Sequence, residues 1–548
     1  MRRWICTAAA LILFASPVTA QTEQALNVIP DNALGFILIT DLSQFSKHVQ
    51  DLADRLKVPE RVSLLELIEK KMGLHEGLRP NGSAAFVVLK SEKQKEAWDF
   101  DPVMVIPVAD HQKMFAQLGV KNPTDGINKG EAGTVGGLLA GIGGGGENPM
   151  VKTPVLAAKK GEFMLLAYPE QREALERVLR SQKGIAAAVK PARKWLDAQD
   201  ISGVVTEPGV KFGLGMGLGL LASGSPEQEA QLKATFKDIE KNVKLITFGG
   251  YIGDEGHPRL RTRIYFDPEG DYAKKLAKIE AIEGTQLQQF ASQDYVIAAM
   301  ARLSPQLNFE AVFKGLRSFL GVQMPGEKAN KLLQRISEVT AVAYEDRSNE
   351  KGTPLANPPA GLMAQVDDAP KFVEAAIDLI QDAQKATDAG DVKIEQKQLA
   401  GKPARLVTFG RPKRQEKADG ANGPSAPGAL VLVELDSRTV LACTVSKPEE
   451  AESILRKFTQ KPAEPLSQNA GIKQTMALQP GKLQVVAYLA VEPLSGLLGG
   501  GISLTGRKHP PIAFSLRAMP AAVEAEFLIP FGAMQAVFDA RKEGEKKK

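Results

Sequence analysis

The chain has 548 residues, with 69 Lys and Arg against 64 Asp and Glu, 43% hydrophobic residues, 50 Gly, 34 Pro and 2 Cys. It is too apolar for a disordered chain and too poor in cysteine for a disulfide scaffold. The formal charge of +5 and the 6% aromatic content exclude a nucleic-acid binder with a strongly basic face, and the length calls for two or more domain-sized cores.

Residues 1–20 read as a signal peptide. Arg2 and Arg3 form a positive n-region, residues 5–14 an apolar run, and Val18-Thr19-Ala20 a small-residue cleavage site. The run is shorter than the about 20 apolar residues that span a bilayer. Cys6 lies inside it, upstream of the cleavage point, where it cannot act as a lipoprotein cysteine. The expectation is an exported chain, periplasmic or secreted, starting near Gln21 and without a transmembrane helix. Cleavage would lower the formal charge to +3 and leave Cys443 as its one thiol, so the core and not a disulfide must hold the fold. Cys443 lies in the apolar run 439–445 with no nearby His; the reading is a packed thiol.

In chain order, the recurring pattern is two β-rich runs followed by an amphipathic helix. Residues 29–42 and a helix open the exported chain. Runs 84–89 and 103–108 precede a helix at 110–118, and runs 154–158 and 163–168 precede one at 169–179. In the latter, Ala174, Leu175, Val178 and Leu179 form one apolar stripe, Pro169 suits the first turn, and Glu170 and Glu173 favour the positive end of the helix dipole. The pattern returns at 245–251 and 260–266 with a helix from Tyr272, and at 339–343 and 362–366 with a helix from Pro370. It appears again at 430–434 and 440–445 with a helix from Pro448, and at 512–517 and 523–529 with a helix from Phe531. Short polar turns between the paired runs predict antiparallel hairpins, and a helix after each hairpin predicts helices on one face of the sheet. The fold class is α+β.

The order of units repeats. The opening 29–42 matches 292–303, the hairpin and helix ending at Leu179 match those ending near Leu455, 204–221 matches 485–501, and 245–277 matches 512–540. This predicts a duplicated unit of roughly 250 residues: a first lobe at 21–287, a second at 288–540, and a basic tail at 541–548. Residues 411–428, charged and then rich in Gly and Pro, read as a disordered hairpin insertion.

Chemical signatures are sparse. The glycine run at 141–146 fits a dinucleotide fingerprint in spacing but lacks its strand, its helix and its acid, and there is no Walker loop. The five histidines, His48, His75, His111, His257 and His509, form no metal-ligand spacing. Ser348 and Lys351 have S-x-x-K spacing within a turn, and no nucleophile elbow occurs. The acid pairs Asp99/Asp101 and Asp367/Asp368 read as solvated charges. No catalytic, cofactor-binding or metal-binding residue is assigned, and no cofactor is expected. The most unusual feature is a Gly/Leu-rich loop at 212–224 and its counterpart at 494–504, with a similar stretch at 136–142. Its candidate contact residues are Leu214, Met216, Leu218, Leu220, Leu494, Leu497 and Leu498. One reading is a glycine-permitted approach of backbone to core or an inter-lobe contact. The other is an apolar flap over a lipid-sized groove, since helices on one face leave the other to be covered.

The opening segment VIPDNALGFILITDL (28–42), with ARKWLDAQDISGVV (192–205) downstream, resembles large exported proteins of bacteria with double-membrane envelopes, known as domains of unknown function. The resemblance implies a helix-backed antiparallel sheet and supplies no activity and no functional residues. The leading expectation is a non-enzymatic envelope protein of two related lobes that acts by surface or groove contact. The alternatives are a periplasmic carrier of an apolar ligand or lipid, and a hydrolase with an unrecognised site, for which Asp99 and His111 are the residues to test. No nucleic-acid partner is expected. A tight constellation of buried acids and a histidine in one cleft would count against the leading reading.

Overall fold

The computed structural model describes residues 16–58, 64–92, 100–133, 152–221, 226–253, 255–303, 326–344, 360–386, 391–409, 429–445, 447–479, 481–492 and 509–546. The chain divides into two compact units, Met1–Gly270 and Asp271–Lys548, so residues 271–287, which the sequence reading assigned to the first lobe, fall in the second unit.

Unit 1 contains, in order, α1 (Ser16–Val28), β1 (Gly35–Ile39), α2 (Leu42–Arg55), α3 (Leu64–Met72), β2 (Ala84–Lys90), β3 (Phe100–Pro107), α4 (His111–Gln117), β4 (Asn128–Gly133) and β5 (Lys152–Lys160). There follow β6 (Phe163–Ala167), α5 (Arg172–Arg180), α6 (Arg193–Asp197), β7 (Ile201–Thr206), α7 (Glu207–Leu221), α8 (Pro226–Asn242), β8 (Val243–Tyr251) and β9 (Arg259–Phe266). The strands pair in the order β4-β5-β6-β3-β2-β1-β7-β8-β9, each with its neighbour antiparallel. The three expected hairpins are β2–β3, β5–β6 and β8–β9. Strand β4, Asn-Lys-Gly-Glu-Ala-Gly, has no apolar alternation and was not anticipated.

Helices cover both faces of this sheet, and the expectation of one covered face is corrected. All five residues of β6 are buried, which a one-sided sheet does not allow. On one face Ile106, Val155, Ala157, Met164 and Leu166 form a core with Leu42 of α2, Ile68 and Met72 of α3, and Met114 and Phe115 of α4. The opposite face carries Leu156, Ala158 and Lys160, because side chains alternate along β5. There the Lys160 ammonium donates to the carbonyls of Val178 (2.5 Å) and Ser181 (2.8 Å) at the end of α5, fixing α5 on that side.

The Gly/Leu segment that begins at Phe212 is also corrected from loop to helix, for Glu207–Leu221 is α-helical. Each mid-helix glycine costs about 1 kcal/mol relative to Ala, so propensity alone points to a loop. Tertiary contact decides otherwise: α7 lies against β7 and β8, and Lys211 pairs with Glu207 one turn earlier at 3.2 Å. Gly209 is needed at its place, since a Cβ there would stand 1.8 Å from the Leu34 carbonyl oxygen, which accepts from Thr206 N and Oγ1 at 3.1 and 3.0 Å.

Unit 2 contains α9 (Asp271–Leu276), β10 (Tyr295–Arg302), α10 (Gly326–Leu333), β11 (Ile336–Tyr344), β12 (Ala360–Val366), α11 (Ala369–Ala386), β13 (Val392–Leu399) and β14 (Lys402–Phe409). It continues with β15 (Ala429–Asp436), β16 (Thr439–Val445), α12 (Ala451–Thr459), α13 (Ala470–Ala477), β17 (Val485–Leu489), β18 (Ile512–Met519), β19 (Ala522–Leu528) and α14 (Phe531–Lys546). Its strand order is β13-β14-β15-β16-β12-β11-β10-β17-β18-β19, again antiparallel throughout. Both faces are covered here too. Ala364, Val366, Leu432 and Val440 meet Phe372 and Val373 of α11, while Met363, Val431, Leu441 and Cys443 share a core with Leu455 and Phe458 of α12. The sequence reading placed an unpacked tail at 541–548, but α14 runs on to Lys546, as Lys and Glu are good helix formers. The proposed insertion at 411–428 lies outside the described residues.

Candidate functional site

In unit 1, a cavity of about 430 Å³ opens where the ends of four strands meet, lined by Thr40, Asp41, Gln44, Asp197–Asp200, Tyr251, Arg259 and Arg261. The register explains the convergence. Ile39 at the end of β1 pairs with Ile201 at the start of β7, Ile201 pairs with Gly250 near the end of β8, and Tyr251 pairs with Arg259 at the start of β9. The connecting residues are held by their own backbone: Thr40 N donates to Asp200 O (3.3 Å), Asp200 N to Gly250 O (3.0 Å) and Thr40 Oγ1 to Gln199 O (2.8 Å).

Beneath the cavity lies a buried hydrogen-bonded pair. His48 Nδ1, on α2, stands 2.8 Å from Asp200 Oδ1, and the two residues are 4% and 7% exposed. The second carboxylate oxygen of Asp200 accepts from Ile252 N at 2.9 Å, and the Tyr251 ring stands edge-on to the imidazole. Burying a polar face of a helix requires such partners: α2 also buries Ser46, whose Oγ accepts from Leu65 N. Arg55, at the C-terminal end of α2, donates to the Glu255 carbonyl at 2.7 Å.

The acids at the rim each serve the fold. Asp41 caps α2, accepting from Gln44 N at 2.9 Å and from Ser43 Oγ at 2.8 Å. Both oxygens of Asp197 accept from Arg193 Nε at 3.0 Å, and Arg193 also pairs with Glu23 of α1. Burial nevertheless pushes the Asp197 carboxyl above its ordinary value, against the pull of Arg193 and of a hydrogen bond from Thr22. Gln199 is 3% exposed; its amide nitrogen donates to Trp195 O at 3.1 Å, while its side-chain carbonyl oxygen is buried without a hydrogen-bond partner among the described residues. Gly249 makes room for this arrangement, as a Cβ there would come within 2.9 Å of Gln199 and 3.0 Å of Trp195.

The sequence pointed elsewhere. Leu214 and Met216 lie half-buried on α7, Leu218 and Leu220 fall in the same helix, and Leu494, Leu497 and Leu498 lie outside the described residues, as do Asp99, Ser348, Lys351 and the 134–151 segment with its glycine run. A second, apolar cavity of about 240 Å³ is lined by Met72, Phe86, Pro102, Met104, Val155 and Leu166, among others, but by neither Leu214 nor Met216. His111 opens α4, where burial lowers its pKa. His257 faces Glu255 at 3.8 Å, and His75 N is bonded to Gln117. Asp367 pairs with Arg335 at 2.9 Å and Asp368 with Lys371 at 2.9 Å. Cys443 is fully buried, and burial raises its thiol pKa, as expected of a packed thiol. No group of three potential metal ligands occurs among the described residues, and no helix among them is long and apolar enough to cross a membrane.

What the sequence reading missed is the pairing of His48 with Asp200, 152 residues apart. A signal was present: the two segments that carry the resemblance, 28–42 and 192–205, supply Thr40, Asp41 and Asp197–Asp200 to one cavity. Compared with protein-family models, with curated proteins and with solved structures, the chain matches none.

Proposed function

We propose that the chain is an exported, non-enzymatic envelope protein built from two copies of one fold, and that it acts by groove contact at the polar cavity of unit 1. The cavity itself carries the contact reading: it is roomy, lined by mixed polar groups, and backed by a rigid buried pair. Its cluster of acids and a histidine is the constellation that argues for catalysis, yet Asp41, Asp197 and Asp200 all have structural partners, which favours a preformed binding surface over a proton-transfer site.

Duplication is supported by the two strand orders. Nine strands correspond one to one when β1 is set beside β10, β2 beside β11, β3 beside β12, β4–β6 beside β14–β16 and β7–β9 beside β17–β19; β13 is an added edge. Smaller features follow the same correspondence. Pro30 bridges Gly184 and Ala291 bridges Pro465; Ile185 N donates to Ile29 O and Leu466 N to Phe290 O, each at 2.8 Å; Thr206 N donates to Leu34 O and Ala490 N to Val296 O.

Export is tested by N-terminal sequencing of the protein from the cell envelope, with Gln21 expected first. Groove contact is tested with a photo-crosslinking residue at Gln44. Adducts with envelope material that are absent from a control at Glu269, on the loop after β9, support the reading, and equal or no labelling at both sites refutes it.

One observation favours hydrolysis as a second reading: a cleft carboxyl with a raised pKa, Asp197, is a candidate general acid. Loss of a measured hydrolytic activity in Asp197→Asn, with folding intact, would establish it. The carrier reading draws on the smaller apolar cavity.

A further inference from the structure

We infer that the polar cavity of unit 1 takes a neutral saccharide, with one sugar ring and its substituent seated inside; this rests on reading the cavity as the contact site. Size comes first. A cavity of 150 Å³ holds benzene, so about 430 Å³ admits roughly 17 non-hydrogen atoms on the same scale. That is more than a bare sugar ring and less than two.

Charge comes second. The lining carries Asp41, Asp197 and Asp200 against Arg259 and Arg261, so an anionic ligand meets three carboxylates and a cationic ligand meets two guanidinium groups. The acids outnumber the arginines by one, but each is held by a partner within the fold, so a fully charged ligand of either sign gains little. The hydrogen-bonding groups are likewise of both kinds: the Asp41 carboxylate and the Gln44 side-chain oxygen accept, and the Arg, Gln44 and Tyr251 side chains donate. A ring of hydroxyl groups, each able to donate and accept, satisfies both sets, whereas an apolar ligand satisfies neither.

One further feature points to a ligand of this class. Tyr251, which lines the cavity, supplies an aromatic side chain against which the C–H face of a pyranose can pack. The pair beneath ties α2 to the segment before β7 and, through Ile252 N, to the turn after β8, so the donors and acceptors are set before binding.

The test is a charge series on one ring, with the full chain from Gln21: methyl β-glucoside and N-acetylglucosamine as neutral probes, glucosamine as the cation and glucuronate as the anion, read by saturation-transfer NMR and calorimetry. Saturable binding of a neutral probe is expected, at least about tenfold tighter than either charged analogue, and weakened at least about tenfold by Tyr251→Leu and by Arg261→Ala. Both substitutions lie at the rim, and unchanged tryptophan fluorescence certifies that the variants fold. Tighter binding of a charged analogue, no saturation by either neutral probe up to about 50 mM, or full affinity in both variants overturns the inference. If Gln44 crosslinks to envelope material while no sugar binds, the saccharide class is wrong and the contact reading stands; if neither occurs, both fall.

Discussion

The His48–Asp200 pair gives the sharpest stability prediction. Asp200→Ala removes a carboxylate that accepts from His48 at 2.8 Å and from Ile252 N at 2.9 Å, and leaves both donors buried. A hydrogen bond to a charged group contributes about 1.5–3 kcal/mol, so losing two destabilises unit 1 by about 3–6 kcal/mol. With a urea m-value of about 3 kcal/mol/M, a loss of about 4 kcal/mol lowers the midpoint by about 1.3 M. Asp200→Asn keeps the volume and one acceptor, and should cost less than half as much. The chain supplies separate probes for its two units: all three tryptophans, Trp4, Trp98 and Trp195, fall in residues 1–270, and Cys443 falls in unit 2. Tryptophan fluorescence therefore follows unit 1 and thiol labelling of Cys443 follows unit 2, without assuming that the whole chain unfolds in one step. The coupling energy from the His48→Ala/Asp200→Ala cycle should exceed about 1 kcal/mol. A fluorescence midpoint lowered by the equivalent of less than about 1 kcal/mol in Asp200→Ala, or a coupling near zero, would refute the view that this pair fixes α2 to the start of β7 and the β8–β9 turn.

Gly209→Ala forces a Cβ to within 1.8 Å of the Leu34 carbonyl oxygen and should destabilise unit 1 by more than about 2 kcal/mol, despite Ala being the better helix former; a neutral or higher fluorescence midpoint contradicts it. In the native protein at pH 8, Cys443 should resist a water-soluble disulfide reagent for hours, because burial disfavours its thiolate, and labelling within seconds would show the site to be open. Burial holds the His111 pKa below its ordinary value of 6.5, so the folded state binds fewer protons there than the unfolded state below that pH. Stability from this group is present above pH 6.5 and declines as pH falls through it. The pH slope of the fluorescence midpoint just below 6.5 should therefore flatten in His111→Gln, and an unchanged slope counts against it.

Local pattern accounts for much of the fold. The hairpins were legible because each has two apolar runs around a short polar turn, and the entries to α5 and α12, 3-10 turns at Pro169–Gln171 and Pro448–Glu450, were legible because proline and acids suit a first turn. The two covered faces were less accessible. Phe163-Met-Leu-Leu-Ala is a continuous apolar run, the mark of a strand buried on both sides, but it reads equally as one half of a hairpin. The α7 helix was hidden by its glycines, whose low propensity is overridden by packing against β7 and β8.

The candidate site was hidden for a different reason. A catalytic or metal motif is visible when its members share a helix or a turn, so that spacing alone brings them together. Here Asp41 caps a helix, Asp197 partners an arginine four residues before it, and His48 is a lone histidine on α2, so none is marked by spacing. What makes them a site is the antiparallel pairing of β1 with β7 and of β7 with β8, which brings residues 40, 200 and 251 to one end of the sheet. Pairing partners in a sheet are set by long-range register, and the chain places the seventh strand beside the first only after five others have been laid down on the other side. A search for sites in chains of this architecture therefore gains more from asking which strand ends meet than from asking which residues are spaced like ligands.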